Sequence, residues 1–409
     1  MKTSNLKQLF SIPVVVAALG YFVDIYDLLL FSIVRIPSLR SMGVVESDLL
    51  SQGEFLLRSQ MIGLLIGGFI WGILGDKRGR LSVLFGSILL YSLANAANGL
   101  VTSVNQYAVL RFIAGIGLAG ELGAGITLVS ESLPIRLRGY GTTLVASVGL
   151  MGAVFANFIA KQFDWQIAYF IGGGLGLLLL IARISVFESS VFLKLKEKEQ
   201  HIERGNFLQL FNNKGRFKKF MGCIFIGLPI WFVIGILVTF SPEFAKALNI
   251  TNGVIAGDAI MYSYIGLAVG DMASGFISQA MRSRKKVVRL YIMLTLAFFV
   301  LYLYMPIRTP TFFYFTCFLM GVGVGYWALF VTIAAEQFGT NLRSTVTTSV
   351  PNIIRGTVVP ITYLFKEFRE QIGVLNGALA VGVFTVIIAV IALRAIDETF
   401  GRDLSFYEE

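Results

Sequence analysis

The sequence predicts an all-α integral membrane protein whose twelve transmembrane helices form two pseudo-symmetric six-helix bundles. Three observations carry that expectation. The 409 residues are 56% hydrophobic and only 14% charged, with a mean hydropathy of +0.76, more apolar surface than a soluble domain needs. Apolar runs of about 20 residues, the length that crosses a ~30 Å hydrocarbon core, recur from end to end. One long polar stretch, Glu188 to Lys219, splits those runs six and six.

Taken in order, the spans lie near 11–36, 53–74, 81–101, 107–131, 139–161, 166–187, 219–241, 254–281, 286–306, 311–336, 344–365 and 374–396. The first lacks a small-residue cleavage site and reads as a retained span, not a signal peptide. Lys and Arg gather at both termini and in the even-numbered connections: Lys2 and Lys7, Lys77 to Arg80, Arg136 and Arg138, Lys194 to Lys219, Arg282 to Lys286, and Arg343. The odd-numbered loops hold only a scatter, such as Arg40, Lys246, Arg308, Lys366 and Arg369. The positive-inside rule then places both termini in the cytoplasm of a bacterial cell, with the chain multi-pass in its inner membrane. The expected units are a first bundle over 1–187, a cytoplasmic linker over 188–218, and a second bundle with a short cytoplasmic tail over 219–409.

Charge and side-chain inventory exclude several classes. The net charge of +10 sits in loops between spans, which is orientation rather than a nucleic-acid footprint. Cys223 and Cys317 fall inside apolar spans and read as free thiols in helix contacts. The single His201 lies in a charged loop, so no metal centre or other cofactor is expected. An integral-membrane enzyme would need clustered nucleophile, base or metal ligands, and none gather here.

The halves repeat one another. GLLIGGFIWG from Gly63 lines up with GLAVGDMASG from Gly266, and each leads into a basic turn. Glu131 and Arg138 in ESLPIRLR match Glu336 and Arg343 in EQFGTNLR at the same spacing. Such a duplication implies two bundles around a central path.

These motifs carry a resemblance. The hinge GILGDKRGR at 72–80, the RxxxGxG opening of span four (Arg111, Gly115, Gly117) and the six-plus-six layout resemble the major facilitator superfamily. ESLPIRLRG after span four and FESSVFL from Phe187 are similar to its sugar-porter and metabolite–proton symporter branches, as is the DETFGRDLSFYEE ending. The chain departs from that pattern at Leu81, where a further basic residue is common, and at Gln279, which replaces a counterpart of Asp76. The two cytoplasmic gates are therefore expected to differ in strength. The resemblance implies alternating access between the bundles.

Charges inside a membrane are costly and usually serve function. Asp24 and Asp27 in VDIYD lie on adjoining parts of one helix face. By helix rise Asp27 is roughly 24 Å from the cytoplasmic start of span one, near the depth of Arg111 in span four. A carboxylate that exchanges a proton for an arginine partner is what proton coupling requires; a permanent ion pair between spans one and four is the plainer reading. The resemblance to sugar–proton symporters points at Asp27 and Arg111 as the coupling pair, with Asp24 the rival. Glu121 in GELGAG and Arg355 in PNIIRG reach similar midplane depths from opposite halves. With Asn352 one turn before it, Arg355 offers a bidentate fork for a carboxylate or phosphate, or pairs with Glu121 or Asp24 when empty. Asp271 is expected to pair with a basic residue of the cytoplasmic turn; Arg35 and Arg58, near the outer ends of their spans and able to snorkel, are read as structural or vestibular.

Trp231 in GLPIWF and Tyr326–Trp327 in GYWALF lie in glycine-interrupted segments, where irregular backbone is tolerated beside a cavity. They and Asn157 either line a substrate site or pack helices. Gly72, Asp76, Arg80, Glu131, Arg138, Glu336 and Arg343 form the expected cytoplasmic gate, with Gly72 allowing close helix approach. Ion pairs there would close the inner side and break as the path opens.

The expected function is a monomeric, proton-coupled carrier of a small organic solute, an organic anion favoured, with a sugar, amino acid or other zwitterion as the alternative. An efflux antiporter is the lesser alternative: span five has glycines but lacks the Gly-Pro signature of the family's antiporters. A channel suits the duplicated halves and paired gate charges less well.

Overall fold

The computed structural model describes residues 10–78, 80–121, 133, 135–187, 210–250 and 253–401. Hydrocarbon offers a backbone amide no partner, so each spanning segment satisfies its own amides as a helix. Among the described residues, nine helical segments are long and apolar enough to cross a membrane. The first half is built from Ile12–Ser41, Leu49–Arg78, Arg80–Asn98, Val104–Leu118, Ile135–Gln162 and Trp165–Phe187. These are spans one to six. In the second half, spans eight, nine and twelve are single helices, Ala256–Met281, Arg284–Leu303 and Val374–Ala395.

The other three second-half spans are broken. Span seven runs as Lys214–Phe225, Leu228–Phe232, the π-helical Val233–Val238 and Ser241–Ala247. Span ten is Pro310–Val324 and Trp327–Gln337; span eleven is Thr340–Gly356 and Val358–Ile372. Span seven starts at Lys214, inside the stretch expected as linker, because the Asn213 side chain accepts the Gly215 and Arg216 amides and caps the helix there. Gly373, at φ 85°, turns span eleven directly into span twelve, a conformation that a side chain would strain.

The internal repeat is visible in packing. A Cβ on Gly63 would strike the Phe112 carbonyl, and one on Gly115 that of Gln60, so spans two and four touch backbone to backbone. Gly266 against Phe318 and Gly321 against Ser263 reproduce both contacts between spans eight and ten. Small residues at these points are what permit the approach. Spans one and five meet span eight, and span two meets span eleven, so these three contacts join the halves. The near face holds the start of the first helix and the end of the last; the far face is opposite.

Candidate functional site

Midway along span one, Asp24 and Asp27 are both fully buried, and none of their four carboxylate oxygens has a hydrogen-bond partner among the described residues. Across the junction stands Arg355 of span eleven, 1% exposed, with Nη2 3.9 Å from Asp24 Oδ2. That spacing is an ion-pair contact too long for a hydrogen bond. The guanidinium lies 5.7 Å from the Trp231 ring and 5.9 Å from the Trp327 ring, and the two indoles meet edge to face at 6.2 Å. Arg355 Nε and Nη1 and Trp231 Nε1 are buried donors without acceptors among the described residues. A buried donor left unmade is costly, so the cluster is poised for an acceptor that none of the described residues supplies. The breaks in spans seven and ten put both indoles here.

Arg111 belongs to a neighbouring cluster. Its Nη1 donates to Asn95 Oδ1 at 3.1 Å and its Nη2 reaches the main-chain carbonyl of Asp27 at 3.5 Å. Phe31 and Tyr169 flank it at 5.6 and 5.7 Å. No ion pair within 4.0 Å links Arg111 to the Asp27 carboxylate; that carboxylate instead lies against Gly172 of span six, where a Cβ would collide with Oδ1. The two residues expected to couple are adjacent without being bonded charge to charge.

Several expected contacts are corrected. Glu121 does not face Arg355. It is held bidentately by Arg183 of span six, at 3.0 and 2.9 Å, and accepts from Ser87 at 3.2 Å; Gly20 leaves the room this pair occupies. Asn352 spends both amide hydrogens on the carbonyls of Ala119 and Thr348, at 2.9 and 3.0 Å, so only its Oδ1 remains open beside Arg355. Tyr326 is fully buried and donates to the Ile226 carbonyl at 2.9 Å. Asn157 sits toward the far face, where its amide donates to Asp258 at 2.9 Å. Asp271 pairs with no basic side chain within 4.0 Å among the described residues; it accepts the Ala328 amide at 3.0 Å.

The far face holds charges that the sequence left unassigned. Arg35, read as structural or vestibular, is fully buried and bridges to Glu243 at 2.7 Å, beside the Phe240 ring at 4.8 Å. Glu54, 1% exposed, binds Arg369 at 2.5 Å and Arg58 at 3.8 Å. Lys161 binds Asp258 at 2.5 Å. The Arg35, Arg369 and Lys161 pairs all join one half to the other.

At the near face, Glu131 lies outside the described residues, as do the side chains of Asp76, Arg80, Arg138 and Arg343. Gly72 needs no close approach, since a Cβ there would meet nothing within 4 Å. Glu336 binds Arg284 at 3.3 Å and the Thr399 hydroxyl at 2.6 Å, both within its own half.

Two helical bundles meeting over buried, incompletely paired charges define a secondary transporter of small solutes, embedded in a membrane and crossing it many times. The chain belongs to the Major Facilitator Superfamily, whose family profile matches residues 50–356. It is similar to the sialic acid transporter NanX of Escherichia coli, 27% identical over 292 residues that make up 69% of this chain and 67% of that one. It is also similar to the niacin transporter NiaP of Acinetobacter baylyi, 26% identical over 370 residues, 80% of each chain. Its fold matches the solved proton:xylose symporter XylE with a TM-score of 0.70 at 16% identity, over 98% of both chains.

Proposed function

We propose that the chain imports a small organic anion with a proton across the inner membrane, acting as a monomer with both termini in the cytoplasm. The observation that carries this reading is Arg355: a buried guanidinium with two unpaired donor atoms, framed by Trp231 and Trp327. A carboxylate takes a guanidinium by two parallel bonds, from Nη2 together with Nε or Nη1, and Nη2 is the atom that faces Asp24 at 3.9 Å. The Trp231 indole N–H is a further open donor for such an anion, whereas Asn352 keeps only an acceptor, its Oδ1. The acidic names of two relatives, sialic acid and niacin, agree with that chemistry.

Proton coupling is assigned to Asp27 and Asp24, with Arg111 close by. A carboxylate that can trade a guanidinium partner for a proton is what coupling requires. Substrate arriving at Arg355 competes with Asp24 for the same cation, so anion entry and Asp24 protonation are linked. The two bundles, 1–187 and the half that begins at Lys214, rock about this centre on the linker between them, with the near-face gate (Gly72, Asp76, Arg80, Glu131, Arg138, Glu336, Arg343) opposing the far-face ion pairs. A second reading, a zwitterion, is favoured by Asp24 standing directly opposite Arg355.

The test is external pH in proteoliposomes on addition of an acid pool (nicotinate, benzoate, lactate, N-acetylneuraminate), against pools of sugars and amino acids. The acid pool alkalinises the outside, Asp27→Asn abolishes the signal, and Arg355→Ala raises KM. A signal from sugars alone that survives Arg355→Ala overturns the anion assignment. Uptake without proton movement overturns the coupling.

A further inference from the structure

Helix Trp327–Gln337 begins in the interior of span ten, and its N-cap residue Tyr326 gives no side-chain acceptor to the first turn. Amides at such a start are unsatisfied and carry positive partial charge. Asp271 of span eight answers that need from another helix, accepting the Ala328 amide at 3.0 Å. The contact is fixed on both sides. Gly325, at the break, presses its backbone onto Gly270 and Asp271, where a Cβ would collide. Tyr291 of span nine donates to the Gly270 carbonyl at 3.0 Å. From the same break, the Tyr326 hydroxyl reaches the Ile226 carbonyl, just before the short helix that carries Trp231.

We propose that Asp271 is a positioning residue for the substrate site: by capping helix Trp327–Gln337 it sets the Trp327 indole over Arg355, and through Tyr326 it fixes the segment bearing Trp231. This rests on the reading that Arg355 and its indoles meet the substrate. The role belongs to a hydrogen-bond acceptor and not to a titrating acid. Asn at 271 keeps the acceptor; Ala removes it. The competing role is proton carriage, since Asp271 Oδ2 has no hydrogen-bond partner among the described residues.

The first arm needs no substrate. In the full-length protein, Trp71→Phe, Trp165→Phe and Trp231→Phe leave Trp327 as the single indole of the original four. Asp271→Asn keeps its emission maximum and acrylamide quenching, while Asp271→Ala shifts emission to the red and raises quenching. The second arm uses the acid pool in proteoliposomes with all four tryptophans in place. Asp271→Ala raises KM about tenfold with kcat held within about twofold, the scale expected for a lost helix cap, and Asp271→Asn restores the parent KM and proton signal. Should Asp271→Ala fail to fold, Asp271→Asn alone decides. Changed Trp327 emission in Asp271→Asn overturns the positioning role, and so does loss of proton movement with Trp327 unmoved. An unchanged indole in a folded Asp271→Ala also overturns it. Failure of the anion reading shows separately, as an acid pool that gives no signal even with the parent protein.

Discussion

Among the described residues, the charge pairs of the two faces differ in reach. On the far face, Arg35–Glu243, Glu54–Arg369 and Lys161–Asp258 each cross from one half to the other. On the near face, the described pairs stay inside the second half: Arg284–Glu336, Lys219–Asp397, and Glu398 on Ser283 and on the Arg284 and Lys285 amides. A tie within a half moves with its bundle and can be strong. A tie across halves must separate whenever the far side opens, so the cycle runs only if such pairs are modest in energy. Partial exposure of one partner does this for two of them, with Glu243 19% and Lys161 45% exposed; Glu54–Arg369 is the more buried tie, at 1% and 14%.

The comparison breaks most sharply at Glu121–Arg183, the most buried pair within a half. Glu121→Ala strands Arg183 without a counter-charge and destabilises the fold by about 3–5 kcal/mol. Thermal unfolding in detergent reads the loss, and pairing it with Arg183→Met recovers most of it. The far face should respond instead through conformation. With Glu54→Gln and Glu243→Gln combined, an impermeant maleimide outside labels Ser32→Cys, which lies beside Thr239 beneath the ties, about tenfold or more faster than in the parent background. The native thiols stay silent, because Cys223 and Cys317 are buried. Lys161→Ala, which removes a largely exposed partner, changes that rate by less than about fivefold.

The smallest effect concerns the tail. Burial pushes the Glu398 carboxyl up, but the Ser283 hydroxyl and the Arg284, Phe400 and Lys285 amides outweigh it and hold it below its ordinary value. A depressed carboxylate adds stability above the pKa of the unfolded chain and loses it as pH falls through the folded one. The tail contact is therefore intact at neutral pH and weakens only in acid. A pH series of unfolding temperatures shows a slightly shallower acid limb for Glu398→Gln than for the parent.

Much of this was legible in the sequence. Apolar run length gave the spans, and the Gly63 and Gly266 segments matched because both carry the same backbone contact between helices. Asp24, Asp27, Trp231, Trp327 and Arg355 announced themselves as costly or glycine-flanked residues at midplane depth; the fold gathers all but Asp27 at the junction of the halves, while the Asp27 carboxylate turns to span six. What escaped was pairing. Arg183 lies near the end of its span, where a long cation reads as snorkelling, yet it turns inward to Glu121. Arg35 and Arg58 read as structural or vestibular, but their partners Glu243 and Glu54 were not legible for the same reason. Glu54, Glu243, Asp258 and Arg369 gain meaning only when two bundles are docked, and no local spacing encodes that docking. Asp271 looked like a charge in search of a cation because the break at Gly325–Tyr326, with its free amides, is a tertiary feature.

The most direct measurement of the central claim is the distance across the far face, between spin labels on Ser51→Cys in span two and Glu367→Cys in span eleven, both exposed positions. Pulsed electron resonance in lipid nanodiscs reads it with and without the acid pool, at neutral and acidic pH, in the parent and in the Glu54→Gln/Glu243→Gln background. The account predicts a short distance in the parent, a longer second population when acid and protons are supplied, and dominance of the longer one once the ties are removed. A single short distance under every condition, unmoved by removing the ties, would contradict it.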